Sequence, residues 1–111
     1  MAPRSERASL GDVGMLVLAA LAGGDRHGYA IVAEVRAITD DRVRLGTGTL
    51  YGALERLTDA GLVAAAGEEI VDGRLRRYYC LTAQGRRALA AELHEREQVT
   101  AAAKLRLDGV S

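Results

Sequence analysis

The sequence predicts a mainly α-helical domain carrying one small β-hairpin. Apolar residues recur at helical spacing in four stretches, and glycines punctuate them. One further segment, around Asp72-Gly73, has the turn and flanking residues of a hairpin instead. The first helix is expected from Leu10, with Ser9 as cap and Asp12 favourably placed in its first turn. It runs through Val13, Leu16, Val17, Leu18, Ala20 and Leu21 and is apolar nearly all round, which marks a central buried helix. Gly23-Gly24 stops it.

The second helix begins near His27-Gly28 and reaches about Thr39, with Ile31, Val35 and Ile38 forming one apolar stripe. Asp40-Asp41 breaks the pattern. Val43 and Leu45 alternate with arginines, which fits a very short strand or an extended linker. The third helix starts near Thr47, with Gly46 or Thr47 as N-cap. Leu50, Leu54 and Leu57 line its inner face; Thr49, Tyr51, Gly52, Glu55 and Arg56 line the other; Gly61 ends it. Leu62–Ala66 reads as a strand, Gly67–Arg77 as a polar stretch with the turn, and Tyr78–Leu81 as the returning strand. Thr82 can cap a final helix from Ala83 to about Leu107.

Composition limits what such a domain can be. The 111 residues fit one domain. Fifteen Lys+Arg balance fifteen Asp+Glu, and 49 % of residues are apolar, which argues against a disordered tail or a highly basic nucleic-acid coat. With no Phe or Trp, the core must be built from Leu, Val, Ile and Ala. A small, Ala-rich core stabilises weakly, so oligomerisation is expected. The single cysteine, Cys80, forms no internal disulfide and suits a reducing, cytoplasmic compartment; in its strand it reads as a small buried hydrophobe. The longest apolar run, Val13–Ala22, is about half a membrane span. No Cys/His spacing suggests a metal, and no nucleophile–base arrangement suggests an enzyme. Gly46-x-Gly48-x-x-x-Gly52 imitates a dinucleotide fingerprint, but no βαβ unit accompanies it. No cofactor is expected.

Helix, helix, helix, hairpin, long helix is the order of a winged helix-turn-helix followed by an extra helix. We divide the chain into a disordered arm (1–8), a winged helix-turn-helix (9–82) and a C-terminal dimerisation helix with a short tail (83–111). An amphipathic helix with nothing of its own to pack on commonly packs on a second copy.

His27-Gly28-Tyr29 opens the second helix and Gly48-Thr49-Leu50-Tyr51 the third, followed by Ala53-Leu54, Arg56-Leu57 and Ala60-Gly61-Leu62-Val63. After the hairpin come Arg76-Arg77-Tyr78-Tyr79-Cys80-Leu81-Thr82, Gly85 and Arg86-Arg87. Over roughly Leu10–Glu92 this resembles the PadR family of transcriptional regulators, in its short form without a separate C-terminal domain. Two departures are Gly46-Thr47 where many members have Ser-Pro, and Gly52 where many have Pro. The resemblance implies a homodimer joined through the last helix, third helices in the major groove with wings flanking, and an inverted-repeat operator on double-stranded DNA. It also implies repression, and in several members release by a small aromatic or drug-like effector.

Thr47, Thr49 and Tyr51 sit where a helix N-terminus favours phosphate, or else cap the helix and pack on the wing. Arg56 is the only basic residue of its helix, beside Glu55 and Asp59, and reads as a DNA contact or a solvated ion pair. Arg74, Arg76, Arg77, Arg86 and Arg87 make the one basic concentration, partly offset by Glu68, Glu69 and Asp72. His27 is expected to meet a phosphate or cap its helix. The candidate DNA-contacting set is therefore His27, Tyr29, Thr47, Thr49, Tyr51, Arg56, Arg74, Arg76 and Arg77. The candidate dimer interface is Leu10, Val13, Leu89, Leu93, Thr100 and Leu107, and an effector groove lined by Leu10, Val13, Leu89 and Leu93 would lie there. The zero net charge and slightly acidic third helix also fit a winged-helix module that binds protein rather than DNA.

Overall fold

A computed structural model describes residues 10–109. The expected arm (1–8), Ser9 and the last two residues lie outside the described residues. The order is α1 (Gly11–Ala22), β1 (Arg26–His27), α2 (Gly28–Ile38), α3 (Thr47–Asp59), β2 (Val63–Val71), β3 (Arg74–Leu81) and α4 (Ala83–Leu107). This is the winged helix-turn-helix with a long C-terminal helix that the sequence predicts.

α1 is the hub, because it is apolar on nearly every side; it touches α2, α3, α4 and β3. Leu18 and Leu21 of α1, Ile31 and Val35 of α2 and Leu54 of α3 are fully buried together. Each such side chain stabilises by about 1.5–3 kcal/mol. The stripe on α2 ends earlier than its periodicity predicts, since the last turn carries Ile38 to the surface. Buried Thr39 then fixes the exit: its hydroxyl donates to Val35 O at 2.8 Å and accepts from Val43 N–H at 3.1 Å. Val43–Leu45 is irregular linker rather than strand, with Leu45 buried.

The sheet has three antiparallel strands in the order β1-β3-β2, one more than the expected hairpin. β1 pairs Arg26 with Tyr79 and His27 with Tyr78. Arg26 explains why the chain turns there. Its Nε donates to Ala20 O at 2.8 Å, satisfying a carbonyl at the end of α1, and it pairs with Glu34 of α2 at 3.3 Å. The hairpin strands are longer than expected and take in the polar Gly67–Arg77 stretch. Asp72 and Gly73 both have positive φ, 52° and 77°, as a tight two-residue hairpin turn requires. Cys80 is half-buried rather than buried.

α4 is anchored at its start. The Thr82 hydroxyl accepts from Gly85 N–H at 2.9 Å and donates to Gly61 O at 2.7 Å. A Cβ on Gly85 would sit 2.0 Å from the backbone oxygen of Leu62, so only glycine lets the helix approach this corner. Leu89 is buried in this chain's own core, and Arg96 joins Asp12 of α1 at 3.0 Å and Glu92 at 2.8 Å. No helix among the described residues is long and apolar enough to cross a membrane.

Candidate nucleic-acid interface

Gly46 caps α3, in extended conformation and without a side-chain bond, and Thr47 opens the helix, exposed. Thr49 is exposed as well. One turn on, Tyr51 leans away from α3 against the start of α2. A Cβ on Gly28 would come within 2.5 Å of the Tyr51 hydroxyl oxygen, so the glycine of His27-Gly28-Tyr29 exists to seat that ring. Two helix N-termini are thereby brought side by side. Between them lies a cleft of about 200 Å³ lined by Gly28, Tyr29, Val32, Leu45, Thr47, Leu50 and Tyr51. Tyr29 is 85 % exposed, which folding alone does not explain. The positive ends of both helix dipoles border this cleft.

His27 takes the capping role left open by the sequence: its Nδ1 accepts from Ala30 N–H at 3.4 Å. Its ring also meets Tyr78 edge-on, 5.4 Å between centroids. β1 therefore ties the start of α2 to the inner wing. Arg56 lies back along α3, its Nη1 3.6 Å from where a Cβ on Gly52 would be. Among the described residues it has no ion-pair partner, and Glu55 beside it has none either.

On the wing, residues alternate between two faces. Tyr79 and Leu81 pack on the core, and burial pushes the Tyr79 hydroxyl above its ordinary pKa. Arg77 follows on that face and is neutralised by Glu68 at 3.1 Å. The opposite face carries Arg74, Arg76 and Tyr78. Tyr78 donates its hydroxyl to Glu69, which raises its pKa. Arg74 and Arg76 are exposed and form no ion pair among the described residues; Arg76 lies by the Tyr78 hydroxyl and partly offsets the upward push of Glu69. The structure thus gathers Tyr29, Thr47 and Tyr51 around one cleft, with His27 behind them. It leaves Arg74 and Arg76 exposed farther along the wing, and it pairs Arg77 with Glu68.

Of the positions expected to face a second subunit, Leu10 and Val13 pack partly on the core and Leu89 lies inside it. Leu93, Thr100 and Leu107 are exposed on α4. Leu93 and Thr100, with Arg96, Glu97, Ala101 and Lys104, line an open groove of about 370 Å³. Sequence reasoning missed the parts played by Gly28, Gly85 and Arg26, whose contacts reach across the fold. No group of His, Cys, Asp and Glu among the described residues is arranged to hold a metal ion.

Comparison with known proteins agrees with this geometry. An uncharacterized 37.1 kDa protein in transposon TN4556 of Streptomyces fradiae is 48 % identical over 83 residues, which is 75 % of this chain. The chain spans only 22 % of that relative's length. The transcriptional regulator Rv3488 of Mycobacterium tuberculosis is 36 % identical over 74 residues, 67 % of this chain and 55 % of its own. Among solved structures, a PadR family transcription regulator from Clostridium difficile matches with a TM-score of 0.74 at 25 % identity, over 87 % of this chain and 99 % of its own. Bacillus subtilis PadR, solved in complex with operator DNA, shares the fold with a TM-score of 0.66 at 22 % identity, over 76 % of this chain and 48 % of its own. The model of the PadR-like transcriptional regulator family matches residues 17–91, from the middle of α1 to the first turns of α4, and the chain belongs to that family of regulators rather than to a family of enzymes.

Proposed function

We propose that this chain is a sequence-specific, DNA-binding transcriptional regulator that acts as a homodimer in the cytoplasm. The observation that carries the reading is the convergence of the α2 and α3 N-termini, with Tyr29, Thr47 and Tyr51 exposed around them. Backbone N–H groups and hydroxyls there suit phosphate oxygens, and the exposed face of α3, with Thr49 and Arg56, suits base edges in the major groove. Arg74 and Arg76 then meet flanking phosphates. A protein of this fold solved on operator DNA supports the same docking.

The dimer rests on α4. Beyond Arg96 the helix runs on for about 16 Å, an exposed length carrying Val99, Leu105 and Leu107. A second α4 covers such a surface most simply. The molecule acts as a repressor, and a small aromatic effector in the groove beside Leu93 and Thr100 shifts the angle of α4 against its counterpart and releases DNA.

Selection of binding sites from a random duplex pool tests this. The recovered sequences should be inverted repeats whose half-sites lie about 34 Å apart. Recovery of no consensus, or of single half-sites only, sinks the dimeric DNA-binding reading. A protein-binding module is the second reading, favoured by Glu55 and Asp59, exposed on α3 without an ion-pair partner among the described residues. It predicts that the same pool yields nothing above background.

A further inference from the structure

The link between α2 and α3 carries Asp40, Asp41, Arg42 and Arg44, and none of the contacts described above uses them. Its path is fixed by hydrogen bonds. Asp40 and Asp41 both have positive φ, 52° and 65°, which Asp tolerates better than most side chains. The Asp41 N–H donates to Arg36 O at 2.7 Å. So held, the Asp41 carboxylate accepts from Arg36 Nε at 2.7 Å and from Arg44 Nη2 at 2.6 Å. One carboxylate thus serves two guanidinium groups, and the trio keeps a positive charge.

The Arg44 backbone and its charge lie in different places. Val43 packs on the core and Leu45 is buried, so Arg44 between them faces outward. Leu45 lines the cleft between α2 and α3, and Gly46 caps α3. Two residues separate Arg44 from that cap, at most about 7 Å of chain. Its guanidinium is drawn the other way, to Asp41, which shares a groove with Ala33, Arg36, Ala37 and Asp40 on the last turns of α2. The cleft opens on the first turn of α2, at Gly28 and Tyr29.

The pair is built to exchange. The Arg44 side chain is 65 % exposed, and an exposed ion pair is weak. Asp41 keeps Arg36 if Arg44 leaves, so no charge is orphaned. A phosphodiester offers the same anionic oxygens as the carboxylate, and arginine grips either one through two N–H groups.

We propose that Arg44 exchanges Asp41 for a backbone phosphate when α3 enters duplex DNA, so that Asp41 restrains binding by the free chain and Arg44 adds a contact to the bound one. The proposal rests on the DNA-binding reading. It makes the two residues energetically coupled, whereas plain repulsion of phosphate by Asp41 acts whether or not Arg44 is present.

The test compares the parent, Arg44→Ala, Asp41→Asn and the double variant on one fluorescent DNA duplex across a series of potassium chloride concentrations. Asparagine keeps the left-handed turn, and circular dichroism checks that each protein folds. Arg44→Ala should bind more weakly, with a slope of log affinity against log salt flatter by about one. Asp41→Asn should bind roughly 2-fold to 5-fold more tightly than the parent. The double variant should match Arg44→Ala, the gain having vanished with the arginine. Parent-like affinity and slope for Arg44→Ala, or parent-like affinity for Asp41→Asn, overturn the exchange and leave the DNA-binding reading intact. A gain from Asp41→Asn that persists without Arg44 overturns it in favour of simple repulsion. A parent chain that binds no duplex takes down both.

Discussion

The helical body and the outer wing are built on opposite terms. In the body, the large side chains where α1, α2 and α3 meet are accounted for by packing: Leu18, Leu21, Ile31, Val35 and Leu54 are buried, and Gly28 and Gly85 sit where a Cβ would collide. In the outer wing, Ile70, Arg74, Leu75 and Arg76 are exposed and none is needed to close the core. Side chains that folding does not require are where function is to be sought. Body substitutions should therefore cost stability first, and outer-wing substitutions should cost binding alone.

The largest stability effect is expected at Gly85→Ala. The added carbon would overlap the Leu62 carbonyl, a backbone atom that cannot swing aside. We expect a loss of about 3 kcal/mol in urea unfolding, with α4 displaced from the α3–β2 corner. Gly28→Ala should cost less, about 1–2 kcal/mol, because Tyr51 can tilt outward. It should also weaken DNA binding, since the cleft between α2 and α3 is reshaped; unaltered binding by a folded Gly28→Ala protein would break the link drawn between body packing and the interface.

Smaller effects sharpen the contrast. Arg96→Ala removes the outermost tie between α4 and the body, an exposed ion pair worth at most about 1 kcal/mol. Its thermal midpoint should approach the parent's as salt is raised. Asp41 is smaller still. Hydrogen bonds from Arg44 and Arg36 hold its carboxyl below the ordinary value of 3.8. A depressed carboxylate contributes stability above its unfolded pKa and loses it as pH falls through the folded value. The parent should therefore melt above Asp41→Asn at neutral pH, and the gap should close in acid. Asparagine is the right substitute because Asp41 has φ 65°. A gap that widens in acid would contradict this assignment.

The body was legible in the sequence because its signals are periodic: the Leu50, Leu54 and Leu57 stripe, the Thr82 cap and the Gly23-Gly24 stop each act within a few residues. β1 was not legible, since two residues have no period and Arg26 earns its place through Ala20 O and Glu34. The outer wing reads as a polar stretch about the Asp72-Gly73 turn, short of its strands, because these are held by the backbone ladder and by Glu68–Arg77, with little apolar alternation. Leu89 followed the same spacing as Leu93, and only the packing of α4 on α1 puts one inside and the other out. In the candidate site, residue types were visible, but the neighbourhood of Tyr29, Thr47 and Tyr51 depends on how Tyr51 rests on Gly28.

The most direct measurement is the slope of log DNA affinity against log salt for the parent and for Arg74→Ala with Arg76→Ala, alongside their unfolding curves. The dimeric regulator described here predicts coincident unfolding within about 0.5 kcal/mol. It also predicts weaker binding by the variant to every duplex, and a slope flatter by about one for each arginine lost. Superimposable binding lines from two equally stable proteins would contradict it.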